Sequence, residues 1–340
     1  MELDELQTRL GPFVRAKLND PAATVSNVYK MPGHAGFSYG FSTHDRNGDR
    51  HWYLRLPPPN VQWKGTADVL RQVEVLNALD ATDVPHCSVT WSGDDLEWFG
   101  RPYFVVPKLE GDTARTGPDS WVAQLSPETR RDMARQTMHA LAGVHKVDWQ
   151  RATPYLGAPI PFDSDVTRWD TFYERAAEPQ MLARAPEVKA ALLAQLPSGA
   201  PLGVFHGDFQ WGNMFFSREG KLLAIIDWEL TGLGSTLNDV GWIATFSDPA
   251  AWPTGGGNGI GRGENPLFPG ADELIAMYAE AWGRPDPNPY RRLPACTPTE
   301  ALPDPNPYRR LPAGPASEPL PDLNWFRALA AYKFAIITGF

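Results

Sequence analysis

The sequence predicts an α+β fold of two lobes, in which a small β-rich lobe precedes a larger, mainly helical lobe. Hairpin and strand patterns with one inserted helix occupy the chain up to Gly111, and long amphipathic helical patterns follow it. A second, isolated hairpin pattern lies inside the helical part. We therefore expect an N-terminal lobe over residues 1–106 and a C-terminal lobe over residues 107–340.

The small lobe begins with a predicted helix over residues 2–18, where apolar residues recur at helical spacing. A glycine-rich stretch over 33–40 follows. The Asn47-Gly48 turn then predicts a hairpin that leads into a strand over 51–56. The remaining elements of this lobe are a helix over 66–80 and a short strand over 102–106.

The large lobe is dominated by helical patterns. Ser126 precedes the first of them and Glu128 lies in its first turn, as is typical of a helix start. A hairpin is predicted from Met214–Phe216 and Leu222–Ile226, just after a short strand at Val204–Phe205. The predicted helices cover residues 127–147, 164–178, 186–196, 271–282 and 323–338.

Proline-rich repeats distinguish residues 285–321. The segment from Pro285 to Ala295 recurs letter for letter at 303–313, and a degraded copy begins at Leu320. Units this short and this rich in proline do not form a solenoid. We expect one expanded surface loop of polyproline character, and a proline-rich docking segment is the alternative.

Composition and charge exclude several classes of protein. The formal net charge is −9, which argues against a general nucleic-acid binder because phosphate contacts need a basic surface. Two cysteines cannot build a disulfide framework or a thiolate zinc site. The N-terminal stretch lacks an apolar signal core, and no apolar run of membrane-spanning length occurs. We therefore expect a cytoplasmic protein with no membrane partner.

The residues that carry chemistry concentrate between Val204 and Asp239. Asp208 follows an apolar strand end, Asn213 begins the next strand, and Asp227 ends its partner strand. Pairing of the hairpin brings Asn213 and Asp227 to one end of it, facing Asp208. Two oxygen ligands beside a free carboxylate suit Mg²⁺ that carries a nucleotide. The Asp-x₄-Asn spacing is also that of the protein-kinase catalytic loop.

Two motifs resemble the aminoglycoside phosphotransferase and choline kinase family. They are His-Gly-Asp-Phe-Gln-Trp-Gly-Asn over 206–213 and Ile-Asp-Trp-Glu over 226–229, and they are similar to the kinase-like domain fused to some acyl-CoA dehydrogenases. The resemblance extends to Leu54–Pro58 and Leu237–Gly241. It implies a bilobal protein-kinase-like fold that uses ATP and Mg²⁺. The implied reaction moves the γ-phosphate to a hydroxyl of a small molecule, either aminoglycoside-like or a hydroxyacyl-type metabolite.

The resemblance also implies a role for each matching residue. Asp208 would accept or orient the proton of the acceptor hydroxyl, and Asn213 and Asp227 would hold Mg²⁺. The supporting residues would be His206, which braces the catalytic loop, Asp239, which anchors that loop near His206, and Glu229, which contacts a second metal or the acceptor.

The small lobe would then hold the nucleotide. The resemblance places Gly33, Gly36 and Ser38 over the phosphates, although a plain hairpin turn explains the glycine run equally well. Just after the strand at 103–106, the Pro107 carbonyl and the Leu109 N–H would contact adenine.

Two residues depart from the family pattern. Arg55 occupies the position of a phosphate-binding lysine, and the helix position that often holds its glutamate partner is Gln72; Glu74 would face elsewhere. A neutral Gln72 would leave Arg55 freer for phosphate, or it would mark weakened catalysis. A catalytically degraded nucleotide-binding module of the same fold is therefore the alternative function.

Other signals are weaker. Gly36-x-Ser38-x-Gly40 matches the nucleophile elbow of serine hydrolases, but too few residues precede it to supply the parallel strands of that fold. The glycine-rich run at 255–263 is expected to be a flexible connector. His139 and His145 are expected to be packing or surface groups. Three tryptophans flank the proposed site and are expected to pack there, or to wall an acceptor pocket: Trp211, Trp228 and Trp242.

Overall fold

Antiparallel sheets and a bundle of helices make up the computed structural model, which describes residues 1–31, 37–115, 117, 119–248, 251, 267–283, 320 and 322–339. The strands are β1 Thr24–Lys30, β2 Ser38–Asp45, β3 Gly48–Arg55, β4 Trp91–Gly93, β5 Tyr103–Pro107, β6 Asp112–Thr113, β7 Leu202–Phe205, β8 Met214–Phe216, β9 Leu222–Ile225 and β10 Gly232–Ser235. The helices are α1 Leu3–Leu18, α2 Val69–Leu79, α3 Pro127–His145, α4 Trp149–Ala152, α5 Phe162–Thr167, α6 Asp170–Tyr173, α7 Ala185–Ala194, α8 Leu237–Phe246, α9 Ala271–Gly283 and α10 Leu323–Gly339.

The sheet of the N-terminal part has the strand order β1-β2-β3-β5-β4. Each neighbouring pair is antiparallel. The predicted Asn47-Gly48 turn is confirmed, because Asp45 pairs with Gly48 and the Asn47 amide donates to the Asp45 carboxylate across 2.8 Å. This hairpin aligns Ser38 at the start of β2 with Arg55 at the end of β3.

The two faces of this sheet belong to different cores. Successive side chains of a strand point to opposite faces. Tyr103 and Val105 accordingly pack with α1, whereas Phe104 and Val106 join the larger core that includes α2. Helix α2 thus lies between this second face of the sheet and the helical part of the molecule.

Helix α8 forms the centre of the helical part and was not predicted. All its residues are buried, so it is hydrophobic around most of its circumference and lacks an amphipathic period. Gly241 permits its contact with α10, since a Cβ there would lie 2.7 Å from the Phe326 backbone carbon. Strand β10 was missed as well; its Gly-Leu-Gly-Ser sequence has little strand propensity, but it pairs with β7.

Most of the other predicted elements are confirmed, including the β8–β9 hairpin in its expected pairing. The single helix predicted over 164–178 is wrong. The segment forms α5 and α6, and the Ala177 and Glu178 amides donate to the Gly339 carbonyl instead of continuing a helix. The predicted connector at 255–263 and residues 285–319 and 321 of the predicted repeat loop lie outside the described residues.

The α+β prediction is confirmed, with a β-rich N-terminal part and a mainly helical C-terminal part. Within the portions of the chain that the structure describes, no helix combines the length and apolar character needed to cross a membrane.

Candidate active site

Asp208 follows β7, and three side chains hold its carboxylate. Trp242 Nε1 donates to Oδ1 across 3.0 Å, and Gln210 Nε2 and Asn213 Nδ2 each lie 3.0 Å from Oδ2. The Asp208 side chain is half-buried, so the carboxylate is oriented by protein donors but is still accessible. A carboxylate fixed in this way can accept a proton from a hydroxyl placed beside it.

Asp239, in the first turn of α8, anchors the loop that carries Asp208. Its buried carboxylate accepts from the backbone N–H groups of His206 across 2.6 Å and of Gly207 across 2.8 Å. Burial alone would raise its pKa, but the hydrogen bond and charge of His145 and the contacts with His206 hold the pKa of Asp239 below its usual range. The loop is therefore bonded to a buried anion.

His206 joins this loop to the end of β9. Its Nδ1 lies 3.2 Å from the Asp208 N–H, and its Nε2 lies 2.8 Å from the Ile226 carbonyl oxygen. An amide N–H can only donate and a carbonyl can only accept, so these contacts fit an imidazole protonated on Nε2. The structure thus places His206 between the residues expected to be catalytic and metal-binding.

Sequence reasoning missed the part played by His145. The residue is buried at the end of α3, with Nε2 3.1 Å from Asp239 Oδ2 and Nδ1 2.9 Å from the Tyr278 hydroxyl. Its place on a helix gave no sign of this, because its partners come from α8 and α9. Gln210 was also missed as a partner of Asp208, although it lies inside the motif at 206–213.

Gly207 is required by the backbone of the loop. Its φ is +91°, and a Cβ at this position would lie 2.5 Å from the Leu230 carbonyl oxygen. A residue with a side chain would be strained there for both reasons.

Asn213 and Asp227 meet at one end of the β8–β9 hairpin, as predicted. The Ile226 N–H donates to the Asn213 carbonyl across 3.0 Å, and Asp227 follows in a left-handed conformation with φ +66°. The Asn213 amide nitrogen donates to the Asp208 carbonyl and carboxylate, which leaves its Oδ1 available. The Asp227 carboxylate is exposed and accepts no hydrogen bond from any residue that the structure describes.

This pair of oxygens fits Mg²⁺ delivered with a nucleotide. Mg²⁺ takes one or two protein oxygens and completes its octahedron with phosphates and water. The described residues contain no group of three or more His, Cys, Asp or Glu that could hold a metal alone. The chemistry of the donor set is therefore that of a shared site, not of a closed protein cage.

Arg55 faces this cluster from the end of β3. Its Nη1 donates to Ser38 Oγ across 2.8 Å, and its Nη2 donates to Glu229 Oε2 across 2.5 Å. Although Gln72 stands at the expected position of a glutamate partner, Arg55 has a carboxylate partner in Glu229. Burial and the nearby Asp227 charge raise the pKa of Glu229 above its usual range, against the opposing effect of Arg55.

Gln72 does not take the place of that partner. Its side chain is buried, and its Nε2 has no hydrogen-bond acceptor among the described residues. Glu74 faces elsewhere, as expected, and accepts from the Tyr155 N–H across 2.9 Å. Helix α2 is instead joined to the turn after β9 by Arg71, whose Nη2 donates to the Thr231 carbonyl across 3.0 Å.

The predicted hinge begins where β5 ends. The Lys108 N–H donates a hydrogen bond to the carbonyl of His51 in β3 across 2.9 Å, so it is not available to a ligand. The Leu109 N–H has no acceptor in the described part of the chain, and Pro107 is exposed. Gly33 and Gly36, expected over the phosphates, lie outside the described residues.

The three tryptophans near the site are all buried, in line with the packing interpretation. The ring centroids of Trp228 and His206 lie 4.7 Å apart, and Trp211 stacks on Phe268 with ring centroids 3.7 Å apart. Trp242 does more than pack, because it bonds Asp208 directly.

The serine hydrolase alternative is wrong. Ser38 begins an antiparallel strand, not a strand-to-helix elbow. Its hydroxyl oxygen accepts from Arg55 and, across 2.7 Å, from the Tyr53 hydroxyl, with no histidine bonded to it among the described residues. Ser38 is therefore built into the Arg55 side of the site.

Comparison with known proteins decides the family. The sequence profile of the family described as "Phosphotransferase enzyme family" matches residues 38–293, a span that includes every site residue above except the two glycines. The chain belongs to the phosphotransferase enzyme family. This membership confirms, at the level of the family, the class of enzyme that the motifs predicted.

Curated relatives of this phosphotransferase family member are much longer proteins. The chain is 28% identical over 204 residues to the probable acyl-CoA dehydrogenase IBR3 of Arabidopsis thaliana, covering 57% of this chain and 24% of the relative. It is 27% identical over 245 residues to acyl-CoA dehydrogenase family member 11 of Homo sapiens, covering 70% of this chain and 30% of the relative. The matched region thus spans less than a third of either relative.

Solved structures share the fold. A putative aminoglycoside phosphotransferase from Ralstonia eutropha superposes with a TM-score of 0.66 at 20% identity, covering 97% of this chain and 86% of that one. An aminoglycoside-3'-phosphotransferase of type VIII gives a TM-score of 0.51 at 16% identity, covering 95% and 99%. The GDP complex of an aminoglycoside 2'-phosphotransferase gives 0.53 at 15% identity, covering 81% and 87%. The kinase-like bilobal fold is therefore confirmed.

Proposed function

We propose that this protein is an ATP- and Mg²⁺-dependent phosphotransferase that moves the γ-phosphate to a hydroxyl of a small molecule. The nucleotide would lie against residues 1–106 and the acceptor against residues 107–340. A relative of the same fold was solved with GDP, which supports a purine nucleotide as the phosphate donor.

One observation supports the proposal most strongly. The Asn213 amide nitrogen donates to Asp208, so Asp208 is oriented and the Asn213 Oδ1 is left available at the hairpin end that Asp227 follows. The Asp227 carboxylate has no hydrogen-bond donor among the residues that the structure describes. The same side chain would thus orient the candidate base and supply one of the two proposed metal ligands. That combination serves transfer of a metal-bound phosphoryl group to a hydroxyl.

The chain's own residues can divide the reaction between them. Asp208 would accept or orient the proton of the acceptor hydroxyl, while Trp242, Gln210 and Asn213 keep its carboxylate in place. Arg55 would hold the phosphates of the nucleotide. The Leu109 N–H would contact the adenine ring. When bound at Asn213 and Asp227, Mg²⁺ would neutralise phosphate charge.

The acceptor is proposed only by class. The acidic net charge of −9 favours a cationic acceptor such as an aminoglycoside. The relatives named as acyl-CoA dehydrogenases favour a hydroxylated acyl thioester or a related metabolite instead. Both classes carry the hydroxyl that the proposed reaction needs.

Thermal unfolding with and without millimolar Mg-ATP tests nucleotide binding. We expect Mg-ATP to raise the Tm of the wild-type protein, because a ligand that binds the folded state stabilises it. Asp227→Ala should abolish that rise, whereas Asp148→Ala, which removes an exposed carboxylate, should retain it. An unchanged wild-type Tm would contradict the proposal.

A nucleotide-binding module without transfer activity is the second candidate. Gln72 favours it, because a neutral side chain stands where the family pattern has an acid. This candidate predicts the same Tm rise with Mg-ATP but no phosphate transfer to any hydroxylated acceptor.

A further inference from the structure

Arg55 is a buried cation that, among the described residues, donates hydrogen bonds to partners from distant parts of the chain. Only 11% of its side chain is exposed. Ser38 Oγ, itself held by the Tyr53 hydroxyl, lies on the same sheet, whereas Glu229 lies in the turn after β9, 174 residues further along. A charge buried this deeply needs a counter-charge, and the structure supplies it from the helical part.

Helix α2 offers no such counter-charge. The acids on it and at its ends are engaged elsewhere: Asp68 caps the Leu70 N–H and accepts from the Tyr155 hydroxyl, Glu74 accepts from the Tyr155 N–H, and Asp80 bonds His86 and Ser88. Gln72 is buried, and its amide nitrogen has no hydrogen-bond partner in the described part of the chain. No carboxylate on helix α2 or at its ends, a segment that the structure describes in full, therefore pairs with Arg55.

We propose that Glu229 is the positioning residue that aims Arg55 at the phosphates of the nucleotide; the inference rests on the proposed function. A guanidinium has about five N–H donors in a rigid plane, so Arg55 keeps donors for a phosphate while it remains bonded to Ser38 and Glu229. The two fixed contacts determine the direction of the remaining ones.

This arrangement couples phosphate binding to the approach of the two parts of the molecule. Arg55 belongs to the sheet, and Glu229 belongs to the turn that follows Asp227. The guanidinium is therefore aimed only when the sheet and that turn are in contact. A helix-borne carboxylate would aim it without any such contact.

The inference is separable from a role of Glu229 in metal binding. A metal ligand affects nucleotide affinity only when Mg²⁺ is present, whereas a residue that aims Arg55 affects it in the absence of metal as well. The measurement is therefore the Kd for ADP in EDTA, determined by titration calorimetry and repeated with Mg²⁺.

We expect Glu229→Met to weaken metal-free ADP binding by about tenfold or more, the loss of one charge-assisted hydrogen bond to a phosphate. Glu229→Gln should stay within about threefold of wild type, since its amide oxygen can still accept from Arg55. Glu219 is an exposed glutamate of the hairpin turn, and Glu219→Gln is the control, which should leave the metal-free Kd for ADP unchanged. Unchanged metal-free affinity in Glu229→Met would overturn the inference.

Glu229→Met alone leaves Arg55 as a buried cation without its carboxylate partner, which could cause misfolding. The same substitution is therefore also made in an Arg55→Met protein, which lacks that cation. In that background Glu229→Met should change metal-free ADP affinity by less than about twofold, because the two residues act through one interaction. A further tenfold loss would show that Glu229 acts without Arg55 and would contradict the inference. If the wild-type protein binds ADP neither with nor without Mg²⁺, the proposed function itself fails.

Discussion

The indole Nε1 of Trp242 donates to Oδ1 of Asp208 across 3.0 Å. Asp239, which bonds the backbone of the same loop, lies one turn earlier on helix α8. One buried helix therefore fixes both the main chain around the candidate base and the orientation of its carboxylate. Such support matters because a small displacement of a reacting group reduces the rate strongly.

Trp242→Phe should lower kcat by about tenfold and leave the KM for ATP unchanged. The substitution removes one hydrogen bond to a charged group, worth about 1.5–3 kcal/mol, but keeps an aromatic ring in the buried position. Steady-state kinetics with a responsive acceptor check this. Trp325→Phe is the matched control, because it removes an indole hydrogen bond to the Leu192 carbonyl outside the site. Equal kcat values for the Trp242 variant and wild type would contradict the role given to Trp242.

Asp239→Asn should reduce the free energy of unfolding by about 3–5 kcal/mol near neutral pH, as when one partner of a buried charged network is lost. The pKa of Asp239 is lowered in the folded protein from its usual 3.8. Its charge therefore stabilises the fold above about pH 3.8, and that contribution is lost as the pH falls through the folded pKa.

Urea unfolding of the wild type and of Asp239→Asn at several pH values measures this. The difference between the two proteins should be largest near neutrality and should narrow below about pH 3.8. A difference that stays constant with pH would contradict the account of Asp239. Asp165→Asn is a useful comparison, since Lys333 and Arg168 lower the pKa of that carboxylate against the effect of its burial, and it bonds the Asn238 side chain and not the backbone of the 206–207 loop.

Gly207→Ala should destabilise the protein by about 2 kcal/mol or more, because alanine is strained at a φ of +91° and its Cβ would contact the Leu230 carbonyl oxygen. Gly212→Ala in the same loop is the control. A Cβ there would lie 3.6 Å from the Gln210 side chain, an ordinary contact. Thermal unfolding compares the two, and equal losses of Tm would contradict the backbone argument.

Local patterns in the sequence were enough to predict the hairpins and amphipathic helices. The β2–β3 and β8–β9 pairings follow from turn residues between apolar runs, and the second pairing brings Asn213 to Asp227. Helix α8 escaped prediction because it is buried on all sides, and Trp242 was placed near the site without its bond to Asp208 being foreseen.

Long-range partners were the harder part to predict. The pairing of Arg55 with Glu229 and the contact of His145 with Asp239 join residues 174 and 94 positions apart. Neither pair has a periodic signal, because each depends on how separate elements pack. The helix predicted over 164–178 failed for the same reason. The Ala177 and Glu178 amides donate to the distant Gly339 carbonyl instead of forming helical hydrogen bonds.

Transfer of labelled γ-phosphate from ATP, in the presence of Mg²⁺, to a panel of hydroxylated metabolites measures the proposed phosphotransferase activity itself. The panel should include aminoglycosides and hydroxyacyl thioesters. We predict labelled product with at least one acceptor, and a loss of about 10²–10⁴-fold in Asp208→Asn, which cannot accept the proton. Asp208→Asn should still gain Tm with Mg-ATP. Labelled product formed equally by wild type and Asp208→Asn, or ATP binding without transfer to any acceptor of either class, would contradict the claim.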